Sequence, residues 1–334
     1  MRRALPLLLL AAAALGGCVS LRPVASLRSG PGLAPAARLL PTSAGEVYLE
    51  LHGPEGGRPV VLIHGFGSSL HSWRKVAPAL AAAGFRVLAL DLPGFGYSAR
   101  PTAAAAYTTE AQAALVAEVL DLLAAELEWD LERGPGAGAG AGLDGGPGSG
   151  AVDLVGHSFG GGVALTLAAN RPERVRSLVL VDSTLPTHSR ARRADLPFYR
   201  PLVYLLIRTV GLRRAFVRAA LERSFHDDSL VTRELVDAYR SRLLLRGPAG
   251  AYRSLTAPIP RVRLAVDLAA IARPALVVWG EEDALIPARA GRRAAERLPD
   301  ARFAVLPACG HIPMEECPEA FLEAALAFLA GLPH

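Results

Sequence analysis

Val152-Asp153-Leu154-Val155-Gly156-His157-Ser158-Phe159-Gly160-Gly161 decides how this chain is read. A short apolar run, the kind that forms a strand buried in a parallel sheet, ends in Gly-x-Ser-x-Gly. A helical stretch from Gly162 to Arg171 follows at once. A serine hydroxyl is a poor nucleophile at neutral pH. It needs an exposed, strained position beside a base and beside backbone N–H groups that can hold an oxyanion. A tight strand-to-helix turn supplies that position, and flanking glycines let it form without side chains colliding.

The surroundings strengthen the motif. Upstream, Val60-Val61-Leu62-Ile63 predicts another buried strand, ending in His64-Gly65-Phe66-Gly67. Downstream, Ala275 to Trp279 predicts a strand that ends in Gly280-Glu281-Glu282-Asp283, and Arg302 to Leu306 predicts one that leads to Gly310-His311. Serine, aspartate and histidine therefore occur in the chain order Ser, Asp, His. With Leu90-Asp91-Leu92-Pro93-Gly94-Phe95-Gly96-Tyr97-Ser98, these segments resemble the α/β-hydrolase superfamily, esterase-like branch, over roughly residues 46–329.

The resemblance implies a mostly parallel, eight-stranded sheet flanked by helices, with an inserted helical lid. It also implies roles. Ser158 is the expected nucleophile and His311 the general base. Asp283 is the expected acid, because the acid follows Trp-Gly-x-x in similar proteins. Asp182, at the end of the preceding strand, is the rival. The backbone N–H groups of Phe66 and Phe159 are the expected oxyanion donors, with their rings lining an apolar pocket. His64 and His157 are expected to support these loops. No metal or cofactor is expected.

Met1-Arg2-Arg3 and the apolar run Ala4 to Leu15 have the pattern of a secretory signal. Leu15-Gly16-Gly17-Cys18 looks like the lipobox of bacterial lipoproteins, which implies cleavage before Cys18 and its lipidation. The alternatives are an ordinary signal peptide or an uncleaved anchor. The expectation is an exported, membrane-anchored lipoprotein, on the periplasmic face of the outer membrane in a two-membrane organism. Loss of residues 1–17 removes Arg2 and Arg3 and no acid, lowering the formal net charge of +5 by two. Neither that charge nor any basic motif points to nucleic acid. Cys309 and Cys317 remain. They could pair outside the cytoplasm, but two buried apolar thiols is the preferred reading.

The expected organisation is a signal peptide at 1–17, a flexible tether at 18–45, and core at 46–185 and 274–334 on either side of a lid at 186–273. Within it, Val47 to Leu51 predicts an edge strand and Trp73 to Ala83 a helix. Residues 134–150, almost all Gly, Ala and Pro, predict a disordered loop. Leu196 to Val217 mixes apolar residues with arginines and fits a lid over an acyl pocket better than a lipid-binding surface. Together these features predict hydrolysis of a small-molecule or lipid ester with an apolar acyl group. C–C hydrolysis or acyl transfer on the same triad is the alternative, and a non-catalytic binding lipoprotein would require a missing triad residue.

Overall fold

The computed structural model describes residues 22–23, 36–126, 151–186, 214–243, 245–246 and 265–332. Eight strands form its main sheet: β1 Ala37–Thr42, β2 Gly45–His52, β3 Arg58–Ile63, β4 Phe85–Leu90, β5 Val152–His157, β6 Val175–Val181, β7 Ala275–Gly280 and β8 Ala301–Leu306. Their spatial order is β8-β7-β6-β5-β3-β4-β2-β1. Only β2 breaks the parallel arrangement, running antiparallel to both β1 and β4.

Side chains alternate between the two faces of a strand, so each central strand feeds two cores. On one face Val61, Ile63, Leu154 and Leu178 pack with α2 (Thr109–Glu126), α3 (Phe159–Asn170) and α6 (Ala288–Ala295). On the other, Val60, Leu62, Val155 and Val179 pack with α1 (Ala77–Ala82) and α8 (Pro318–Ala330). Two helices between β6 and β7, α4 (Arg214–Ser224) and α5 (Arg233–Leu243), add Val217, Leu221, Leu235, Val236 and Tyr239 to that second core.

Three expectations need correction. The tether does not extend to residue 45, because its last part forms β1, and Arg22–Pro23 pairs with Leu245–Arg246. Val47 to Leu51 lies one strand in from the edge. β1 covers it, and Val47, Tyr48 and Leu49 are buried. The helix expected from Trp73 divides into a 3₁₀ turn at Leu70–Trp73 and the short α1, which starts where Pro78 suits a first helical turn. Residues 1–17, Cys18, residues 134–150 and most of Leu196 to Val217 lie outside the described residues.

β5, the strand that leads into Ser158, is anchored at its far end by a buried charge. Asp153 accepts from Arg58 Nε at 2.6 Å and from Ser177 Oγ at 2.6 Å, and Arg176 lies 3.7 Å away. These contacts join β3, β5 and β6 below the site. Asp153→Ala leaves two guanidinium groups facing each other without their carboxylate. It is expected to lower unfolding free energy by about 3 kcal/mol, measured by urea denaturation.

Candidate active site

Ser158 follows β5 directly and opens α3. Its backbone sits at φ 48, ψ −114, a left-handed conformation that is strained for a residue with a Cβ. Hydrogen bonds hold it there: Ser158 N donates to Val181 O at 2.9 Å, and Ser158 O accepts from Thr184 N at 2.8 Å and Gly161 N at 3.0 Å. The turn is tight because α3 begins against the end of β3. A Cβ at Gly160 would run into the carbonyls of Ile63 and His64. Only glycine lets the two segments come this close.

Beside it lies the loop after β3. Gly65 packs so tightly that a Cβ there would lie 2.7 Å from His157 Nδ1 and 3.2 Å from Ser158 Cβ. His64 spans this loop. Its Nδ1 bonds Gly65 O at 2.8 Å, and its Nε2 accepts from Leu92 N at 3.0 Å. Those partners require Nδ1 to carry the proton, and burial holds the ring below its usual pKa. The N–H groups of Phe66 and Phe159 have no hydrogen-bond partner among the described residues. Phe159 is at the first turn of α3, where the helix leaves amides unsatisfied and the helix dipole favours negative charge. The ring of Phe66 meets those of Phe95 and Phe159 edge-on, at 5.5 and 6.2 Å.

Asp283 and His311, the expected acid and base, sit on the loops after β7 and β8. His311 Nδ1 and Asp283 Oδ2 are 2.7 Å apart, and both residues are buried. Asp283 Oδ1 accepts from the amides of Leu285 and Ile286 at 2.7 and 2.9 Å. Burial alone would raise the Asp283 carboxyl, but His311 and these amides outweigh it and hold it below the usual carboxylate value. This leaves Nε2 of His311 as the nitrogen able to take a proton. Asp182, the rival, makes no hydrogen bond to His311. Its carboxyl is pushed well up by burial and then by the nearby Asp283 charge. Donor atoms of Asp182, Asp283 and His311 lie within 4.8 Å of one another. A cation there would compete with the Asp283–His311 hydrogen bond.

His157 ties the two halves together. Its Nε2 donates to His311 O at 2.8 Å, and the two rings lie 5.0 Å apart. Burial first, then the His311 charge, lowers His157 to about 3, so it stays neutral and keeps this donor. The Ser158 turn and the His311 loop are thus joined, although Ser158 Oγ makes no hydrogen bond to His311 here.

Further restraints hold the His311 loop. His311 N donates to Ser224 O at 2.7 Å. Glu316, in the short helix α7 (Pro313–Glu316), accepts from Gly310 N at 2.6 Å and from His226 N and Asp227 N at 2.7 Å. Cys309 and Cys317 form a disulfide across a sequence separation of 8, with Cα atoms 6.2 Å apart. This corrects the expectation of free thiols. The turn at Ala308 and helix α7 fold the segment back on itself, bringing Cys317 opposite Cys309. Neither this fold-back nor the placement of Glu316 has a sequence signature.

Residues 60–324 match the alpha/beta hydrolase family. The chain belongs to that family. This hydrolase is 34% identical over 285 residues to the dihydrolipoyllysine-residue acetyltransferase component of an acetoin cleaving system from Pseudomonas putida, covering 84% of this chain and 66% of that protein. It is 33% identical over 282 residues to a 2-hydroxymuconate semialdehyde hydrolase from Pseudomonas sp. strain CF600, covering 80% of this chain and 85% of that one. Among solved structures, it resembles a thermophilic esterase from Thermogutta terrifontis with a TM-score of 0.66 and 27% identity, covering 88% and 98% of the two chains.

Two substitutions probe this geometry in the hydrolase. Gly65→Ala pushes the Phe66 loop off the serine turn and is expected to lower kcat by about a hundredfold while thermal unfolding moves little. Asp283→Asn leaves His311 without its carboxylate and is expected to lower kcat by roughly 10⁴-fold. Steady-state kinetics beside a thermal melt checks both.

Proposed function

We propose that this hydrolase cleaves carboxylic esters with apolar acyl groups through an acyl-enzyme on Ser158. One observation carries the proposal: a strained, partly exposed serine stands beside two unpartnered amides, on a turn tied by His157 to a His311–Asp283 pair. Ser158 Oγ attacks the ester carbonyl and its proton passes to His311 Nε2. The amides of Phe66 and Phe159 hold the oxyanion, and the alkoxide leaves with the His311 proton. Water then attacks the acyl-enzyme. Its proton goes to His311, the acid is released, and Ser158 recovers its hydrogen. The acyl group lies against Phe66, 37% exposed, and the buried rings of Phe95 and Phe159. Similarity to the solved esterase supports this substrate class.

Similarity to the 2-hydroxymuconate semialdehyde hydrolase favours a second reading, C–C hydrolysis on the same residues. We further propose that the protein is exported and lipidated at Cys18, a reading supported by Arg2-Arg3, the apolar run and Leu15-Gly16-Gly17-Cys18. The helices of the insertion then act as a lid whose shape selects the acyl chain.

Turnover of p-nitrophenyl esters of increasing chain length, against a dienoic ring-cleavage product, tests the reading. The expected result is faster ester turnover that Ser158→Ala lowers by on the order of 10⁶-fold. Preference for the C–C substrate moves the assignment to the second reading. For the anchor, Cys18→Ser is expected to abolish membrane fractionation and leave short-ester turnover unchanged. Wild-type protein recovered without lipid mass contradicts lipidation.

A further inference from the structure

Asp182 stands at the end of β6, beside the loop that carries Asp283, and the proposed chemistry gives it no task. The residue is nevertheless fully buried and held at φ 42, a left-handed conformation that costs on the order of 1 kcal/mol or more in a residue with a Cβ. Its backbone N donates to Val278 O at 3.0 Å. One carboxyl oxygen, Oδ1, accepts from Gly280 N at 3.0 Å, which fixes the side chain across to β7. The other, Oδ2, is buried with no donor facing it.

A carboxylate of Asp283 lies within the same 4.8 Å cluster. Two ionised carboxyl groups this close in a buried site repel each other strongly, and one of such a pair keeps its proton. The hydrogen bonds decide which. Asp283 accepts from His311 and two amides, all of which favour its charged form. Asp182 has one amide and an oxygen that no donor reaches. An acceptor without a donor, next to a carboxylate, is satisfied when it carries the proton itself.

We propose that Asp182 is a positioning residue: its carboxyl stays protonated, donates a hydrogen bond to the Asp283 carboxylate, and fixes the rotamer in which Asp283 accepts from His311 Nδ1. The directions of burial and charge at the two carboxyls agree with this division. The proton also withdraws charge from Asp283. Asp283, His311 and Glu316 face this carboxyl from the loops after β7 and β8 and from α7, and His157 faces His311 from β5.

The inference rests on Asp283 and His311 being the acid and base, and not on an ester being the substrate. The first test therefore needs no substrate. Infrared difference spectra of the full chain labelled with ¹³C-carboxyl aspartate, wild type against Asp182→Asn at neutral pH, should show one protonated-carboxyl C=O band that the variant loses. No such band in wild type overturns the proposal, whatever the protein hydrolyses. The second test is kinetic, on whichever substrate turns over. Asp182→Asn keeps an N–H donor toward Asp283 and should hold kcat within about threefold of wild type, whereas Asp182→Ala should lower kcat about tenfold at unchanged KM. Equal damage from both substitutions, or an alanine variant with wild-type kcat, overturns the proposal. If the alanine variant does not fold, the spectrum and the asparagine variant decide.

Discussion

The close approach between the end of β3 and the first turn of α3 is the constraint on which the rest of this molecule depends. Gly160 lies against the carbonyls of Ile63 and His64, leaving no room for a side chain. That contact forces Ser158 into a left-handed turn, lifts its hydroxyl out of the sheet, and brings the Phe66 loop beside the Phe159 amide. The strain is retained because β5 is over-determined. Its six residues are buried, it is hydrogen-bonded on both sides by β3 and β6, and Asp153 pins its far end between two arginines. A stiff strand with a strained end suits the oxyanion donors of the proposed chemistry, since donors that must reorganise during reaction lose their advantage.

The base side is built differently. Asp283 and His311 sit on loops, and loops alone do not hold a 2.7 Å hydrogen bond in register. The structure supplies restraints from several directions: the Cys309–Cys317 disulfide, Glu316 on the Gly310 amide, Ser224 O on the His311 amide, and His157 on the His311 carbonyl. Ser224, and the His226 and Asp227 amides that also bond Glu316, lie between β6 and β7. Movement of α4 would therefore be felt at His311, the base of the proposed chemistry.

Residues whose role follows from local backbone chemistry were legible in the sequence. Gly156, Ser158 and Gly160 make sense together only in a tight strand-to-helix turn, and the apolar runs at β3, β5, β6 and β7 lack the alternation of half-exposed strands. Features that depend on distant partners were not legible. Ala37–Thr42 carries Arg38, Pro41 and Thr42 and reads as linker, yet an edge strand needs hydrogen bonds on one side only, and a proline is tolerated there. The cysteines at 309 and 317 meet because of a fold-back at Ala308 that no spacing rule announces. Asp182 directly follows β6 and Asp283 lies on the loop just beyond β7. Only the sheet order, which sets β6 beside β7, puts the two carboxyls in one cluster and gives the His311 hydrogen bond to Asp283.

The proposed chemistry has one obligatory intermediate, an acyl group bonded to Ser158 Oγ. Rapid mixing of the protein with excess activated ester, acid quench within the first turnover, and peptide mass mapping reads it directly. The account predicts that the mass of the acyl group appears on the peptide containing Ser158, and decays as substrate is exhausted. Acylation of a different residue, or unmodified protein throughout a reaction that releases product, would contradict it.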